Sequence, residues 1–154
     1  MARSPERPLM LFLLDKSAHE LAHRDLGARR VFETLAVTGV LATCAIVELE
    51  VLYSARSLAG HQRLTTYLRE QCVWLETSDD TLSAAVDLQK AMLAAGKHRK
   101  PIPDIIIASV ARDHDAVLIH HDRDFDDIAT VATDLRTRWI IPPPQPERDP
   151  KAAR

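Results

Sequence analysis

Glycine and cysteine are scarce in this chain of 154 residues, which has four of the first, two of the second and only 5% Phe, Trp and Tyr. Sparse glycine with 46% apolar residues excludes a disordered chain and suits a compact, helix-rich domain long enough to bury a core. The cysteines, Cys44 and Cys72, have neither CxxC spacing nor a nearby histidine. A zinc quartet is therefore excluded, and two small buried thiols are expected. No stretch of about 18 uncharged apolar residues occurs, so no membrane span is expected. The run Leu9–Leu14 is too short for a signal segment, is closed by Asp15, and has no cleavage pattern near it. A cytoplasmic protein is expected. Nor is there an excess of positive charge: the net charge is −2. That argues against a nucleic-acid partner only until distribution is considered. If five acids serve a metal site, the remaining 17 face 20 Lys and Arg, and the rest of the surface is mildly basic.

What the chain does have is alternation. Apolar runs at Leu9–Leu14, Val40–Thr43, Val73–Leu75, Ala116–Ile119 and Arg138–Ile141 read as short strands, the first of them buried on both faces. Helical spacing lies between them: from Asp15 through Ala22, Gly27–Ala36 broken by Gly39, Ala45–Leu58, His61–Glu70, a helix capped by Ser78 and stopped at Gly96, Ile105–Asp113, and Phe125–Thr133. Gly60 and the prolines Pro101 and Pro103 are read as separators. Strands alternating with helices predict an α/β fold with a parallel sheet and right-handed crossovers. The segment after Ile141 opens with Pro142-Pro143-Pro144-Gln145-Pro146, and residues 142–154 are expected to be a disordered tail.

In open parallel sheets, ligands bind beyond the carboxyl ends of the strands. Asp15 follows the first strand directly, and Asp122 and Asp124 follow Ala116–Ile119 after His120 and His121. Asp104 opens the apolar helix beginning Ile105-Ile106-Ile107. Taken singly, Asp104 reads as a helix cap and the Asp122/Asp124 pair as a polar turn. Asp15 is different, because an unpaired carboxylate closing a buried apolar run is costly. Shared position at one rim points to a cation site. A further acid comes from the helix after Thr43, where Glu48 and Glu50 both have apolar neighbours three and four residues away, so spacing does not choose between them. All-oxygen ligands favour Mg²⁺ or Mn²⁺ over zinc. Such ions activate water and stabilise the oxyanions of in-line phosphodiester displacement.

Four segments together resemble the PIN-domain ribonucleases, specifically the VapC-type toxins of toxin–antitoxin pairs. They are Leu13-Leu14-Asp15-Lys16-Ser17-Ala18, then Cys44 through Arg56, then Pro103-Asp104-Ile105-Ile106-Ile107-Ala108, and Ile119-His120-His121-Asp122-Arg123-Asp124-Phe125. Their order and rough spacing match the family across nearly the whole chain up to the proline tail. The resemblance implies a PIN-like three-layer α/β/α sandwich with a central parallel sheet of four or five strands over residues 9–141. It implies a metal-dependent endoribonuclease with Mg²⁺ or Mn²⁺ on Asp15, Glu50, Asp104, Asp122 and Asp124. The family places a Ser or Cys at a strand end with its Glu six residues on; Cys44 and Glu50 take those places, and this selects Glu50 over Glu48. Ser17 matches a small hydroxyl residue that supports the first Asp. Lys16 stands where Thr is commonest, adding a cation beside the ring without removing a ligand. The resemblance also implies an RNA substrate, a homodimer and a VapB-type antitoxin that neutralises the toxin, an Arg from which would suit the acidic ring.

Lys97-His98-Arg99-Lys100 is the densest basic cluster and precedes Asp104. It reads either as a phosphate-holding loop through Lys97, Arg99 and Lys100, or as a solvated loop after Gly96. Arg123, between two proposed ligands, is a second phosphate contact. Trp74 and Trp139 are expected in the core, and His120 and His121 to position rather than act as bases. Two other enzyme or regulatory classes fit poorly. A phosphotransferase of doubly wound fold wants a second Asp where Ser17 stands, and a receiver-like module wants a phosphoacceptor Asp and a late Lys that do not occur. A PIN fold that binds RNA or a partner without cutting is the remaining alternative.

Overall fold

A strand of five apolar residues, Met10–Leu14 (β1), is stable only if both of its faces are covered, and the fold supplies covers on both. The computed structural model describes residues 8–145. In chain order β1 is followed by α1 (Lys16–Arg24), α2 (Leu26–Thr38), β2 (Gly39–Cys44), α3 (Ala45–Leu52), α4 (Leu58–Gln71), β3 (Val73–Leu75), α5 (Asp79–Ala94), α6 (Ile102–Asp113), β4 (Val117–His120), α7 (Asp124–Val131) and β5 (Arg136–Trp139). The five strands form one all-parallel sheet in the order β3-β2-β1-β4-β5. Side chains alternate across it. Leu13, Ala42 and Leu118 pack with α5, α6 and α7 on one face, while Phe12, Leu14, Leu41 and Ile119 pack with α1 and α2 on the other. The three-layer sandwich expected from the sequence is therefore present, with five strands. Because strand order reverses between β1 and β4, the crevice of the sheet opens at their carboxyl ends.

Several boundaries differ from the sequence reading, each for a local reason. The helix expected over Ala45–Leu58 stops at Leu52, where Ser54 Oγ donates to the Val51 carbonyl at 2.7 Å. Gly60 does not separate helices: Ser57 caps α4 by accepting from Gly60 N at 3.0 Å, so the glycine sits in the first turn. Pro103 is likewise inside a helix, in the first turn of α6, where a missing N–H costs nothing. The last strand is Arg136–Trp139 rather than Arg138–Ile141, pairing with β4 from Val117↔Arg136 to His120↔Trp139. It is an edge strand with polar residues facing outward, so apolar content misplaces it. Gly39, read only as a helix breaker, begins β2; a Cβ there would meet the Met10 carbonyl at 2.5 Å.

Gly96 stops α5 as expected, with φ +71 and the Lys97 N–H donating to the Met92 carbonyl at 2.8 Å. Cys44 and Cys72 are free, buried thiols. Trp74 is not a core residue: it is 44% exposed on the edge strand β3, and the Arg69 guanidinium lies 4.5 Å above its ring. Trp139 is half-buried and donates from Nε1 to Asp126. Among the described residues, no helix is long and apolar enough to cross a membrane. Pro142–Gln145 have no regular structure, and the rest of the tail, residues 146–154, lies outside the described residues.

Candidate active site

Asp15 ends β1 and caps α1 in one step. Its Oδ2 accepts from Ser17 N at 2.9 Å and from Ser17 Oγ at 2.6 Å, while its own N–H donates to the Ile119 carbonyl at 2.9 Å. The carboxylate is thus fixed at the seam between β1 and β4. It is only 4% exposed, and its second oxygen, Oδ1, is buried with no hydrogen-bond partner. Burial raises its pKa above the usual carboxylate range; the Ser17 bonds oppose that, and the charge of Asp122 adds to it. Ser17 also reaches the other side of the crevice, where its Oγ accepts from His121 N at 2.9 Å.

Asp104 sits in the first turn of α6, nearly as buried, with Oδ2 also lacking a partner. Burial pushes its pKa up to about 8, helped by the charges of Asp15, Asp122, Glu50 and Asp124 in that order. Asp122 lies in the turn after β4, where its Oδ1 accepts from Asp124 N at 2.9 Å. Asp124 is the first residue of α7. Carboxylate oxygens of Asp104, Asp122 and Asp124 all lie within 4.8 Å of one another. Of the five acids of the sequence reading, these three come together in space, and the charges of Asp15 and Glu50 both act on Asp104.

The two candidate glutamates of α3 part company. Glu48 is buried and held by Arg69, whose Nε and Nη2 donate to its two oxygens at 2.8 and 3.1 Å. Glu50 is half-buried on the side of the ring; burial raises its pKa first, then the charge of Asp15, with Lys16 opposing. Lys16 itself pairs with Glu20 one turn on, at 3.4 Å.

The basic residues also divide. Arg99 and Arg123 are exposed, and Arg123 Nη2 donates to the Pro144 carbonyl at 3.2 Å. Lys97 Nζ donates to Thr130 Oγ1 at 2.8 Å. Lys100 Nζ donates to Asp124 Oδ1 at 2.9 Å and also to Asp127 Oδ2. Sequence reasoning missed Asp127, although its i,i+3 spacing from Asp124 places the two on one face of α7. It also left open how completely His120 is enclosed: fully buried between Phe125 and Trp139, the ring accepts the Asp122 N–H on Nδ1 at 3.2 Å. Burial lowers its pKa, which keeps it neutral and supports the Asp122 turn.

Comparison with known proteins places this arrangement in context. The PIN domain description matches residues 12–131. Ribonuclease VapC21 of Mycobacterium tuberculosis strain H37Rv is 40% identical over 133 residues, covering 86% of this chain and 95% of that protein. Ribonuclease VapC51 of the same strain is 36% identical over 131 residues, covering 85% and 93%. Among solved structures, VapBC2 from Rickettsia felis, bound to a DNA fragment from its promoter, superposes with a TM-score of 0.70 at 20% identity over 84% of this chain and 98% of that one; it shares the fold.

Proposed function

The chain belongs to the PIN-domain family, with VapC ribonucleases among its relatives, and from that premise we propose that it is a Mg²⁺- or Mn²⁺-dependent endoribonuclease, the toxin of a type II toxin–antitoxin pair. The observation that carries the reading is the pair of buried, unpartnered oxygens, Asp15 Oδ1 and Asp104 Oδ2, within a ring of five carboxylates. Such oxygens are costly unless something positive meets them, and an all-oxygen donor set fits a hard divalent cation. Asp15, Glu50, Asp104, Asp122 and Asp124 would hold it. When bound, such an ion activates water and neutralises charge developing on a phosphodiester during in-line displacement.

The chain's own residues prepare that site. Ser17 occupies Asp15 Oδ2 and leaves Oδ1 buried with no hydrogen-bond partner. The Asp122 turn, tied by Asp124 N and by neutral His120, keeps two carboxylates at a fixed spacing. Arg99 and Arg123 offer charge-assisted contacts to RNA phosphates. Tyr53 and Leu49, exposed on either side of Glu50 along the chain, offer apolar surface for a VapB-type antitoxin lying across the site in the cytoplasm. A homodimer belongs to the same proposal. Purified protein should cleave RNA with Mg²⁺ or Mn²⁺ and stop when EDTA removes the ion; cleavage that persists in EDTA would contradict it.

A further inference from the structure

We propose that Lys100 is the ring's own counter-cation: its ammonium occupies Asp124 when no divalent ion is bound, and a divalent ion competes with it there. This rests on the metal reading of the ring. Lys100 belongs to the basic cluster before Asp104, yet its side chain is only 17% exposed, because it turns inward onto Asp124 Oδ1 and Asp127 Oδ2. Asp124 and Asp127 lie three residues apart on α7, so a single ammonium bridges both. Lys97 reaches the same helix, donating to Thr130 Oγ1 and lying 3.9 Å from Asp127 Oδ1. The two lysines therefore pin the α5–α6 link against α7. Between them Arg99 has φ 68, a left-handed conformation that a residue with a Cβ adopts only when its surroundings impose it.

The consequence lies in Asp124. The same carboxylate that takes the Lys100 ammonium lies within 4.8 Å of oxygens on Asp104 and Asp122. It is shared between the ring and the lysine. A positive charge so placed relieves repulsion among the acids when they have no ion, and it repels an ion that enters. Steadying Asp124 and opposing the ion have opposite signs for affinity. If Lys100 merely held Asp124 in place, removing its charge would weaken ion binding; as a competitor, its removal strengthens it.

Calorimetric titration of the full chain with Mn²⁺ reads that sign directly. Lys100→Met keeps the aliphatic stem and removes the charge, and it should bind Mn²⁺ about three- to tenfold more tightly than the wild type. Lys100→Arg, which keeps the charge, should stay within about twofold. Lys100→Gln repeats the measurement if Met is not accommodated. Unchanged or weaker Mn²⁺ affinity in the neutral variants, with the wild type binding, overturns the counter-cation role and leaves the reading of the ring standing. A wild type that binds no Mn²⁺ overturns both.

Discussion

Asp15 stands out in the sequence as a candidate because a carboxylate closing a buried apolar strand is costly, and although it caps α1 through Oδ2, its Oδ1 is left buried without a partner. Glu48 and Glu50 were not separable in the same way. Both stand on apolar faces of α3, and the group that distinguishes them, Arg69, is 21 residues away in sequence. The structure gives the two glutamates different consequences. Glu50→Gln should cut RNA cleavage by at least about a hundredfold while leaving thermal stability nearly unchanged, because it removes a charge from the crowded ring. Glu48→Gln should leave cleavage within a few-fold of wild type and lower stability by about 1–2 kcal/mol, since the buried side chain keeps only one oxygen, uncharged, to accept from Arg69. Paired activity assays and melting curves check both. Equal and mild losses of cleavage in the two variants would mean that neither glutamate belongs to the site.

At the scale of elements, the apolar runs and capping residues located most helices and strands, and the misplacements fall where chemistry other than hydrophobicity decides. β5 is an edge strand with polar outward residues, and α4 and α6 begin at a serine cap and a first-turn proline that periodicity does not register. A second feature invisible in the pattern is His19 of α1. It is buried against Phe32 and Tyr67, and neither ring nitrogen has a hydrogen-bond partner. Burial, with the charge of His23 adding, pushes its pKa down to about 4. The fold therefore favours neutral His19. That contribution is fully present above the unfolded value near 6.5 and is lost as pH falls through about 4. Melting temperature should drop more steeply between pH 7 and pH 4 in the wild type than in His19→Leu, by an amount worth up to about 3 kcal/mol. Parallel curves for the two proteins would remove His19 from the account of how α1 is held to α2 and α4.

For the whole molecule, alternation of strands and helices made the sandwich readable, while the order β3-β2-β1-β4-β5 was not, because nothing local encodes which strands become neighbours. That order brings the ends of β1 and β4 together, and so joins Asp15 to Asp122 across more than a hundred residues of chain. The basic residues were the least legible part of the site. Composition counts Lys97 and Lys100 as available cations, but both are bonded to α7, which leaves the exposed Arg99 and Arg123. The most direct test of the central claim compares RNA cleavage by the wild type and Asp15→Asn in Mn²⁺. Asparagine still caps α1 and can still accept from Ser17, so the fold and circular dichroism should be unchanged. The wild type should cleave, and the variant should lose at least about a thousandfold in rate. Undiminished cleavage by a folded Asp15→Asn protein would contradict the carboxylate ring as the seat of the chemistry.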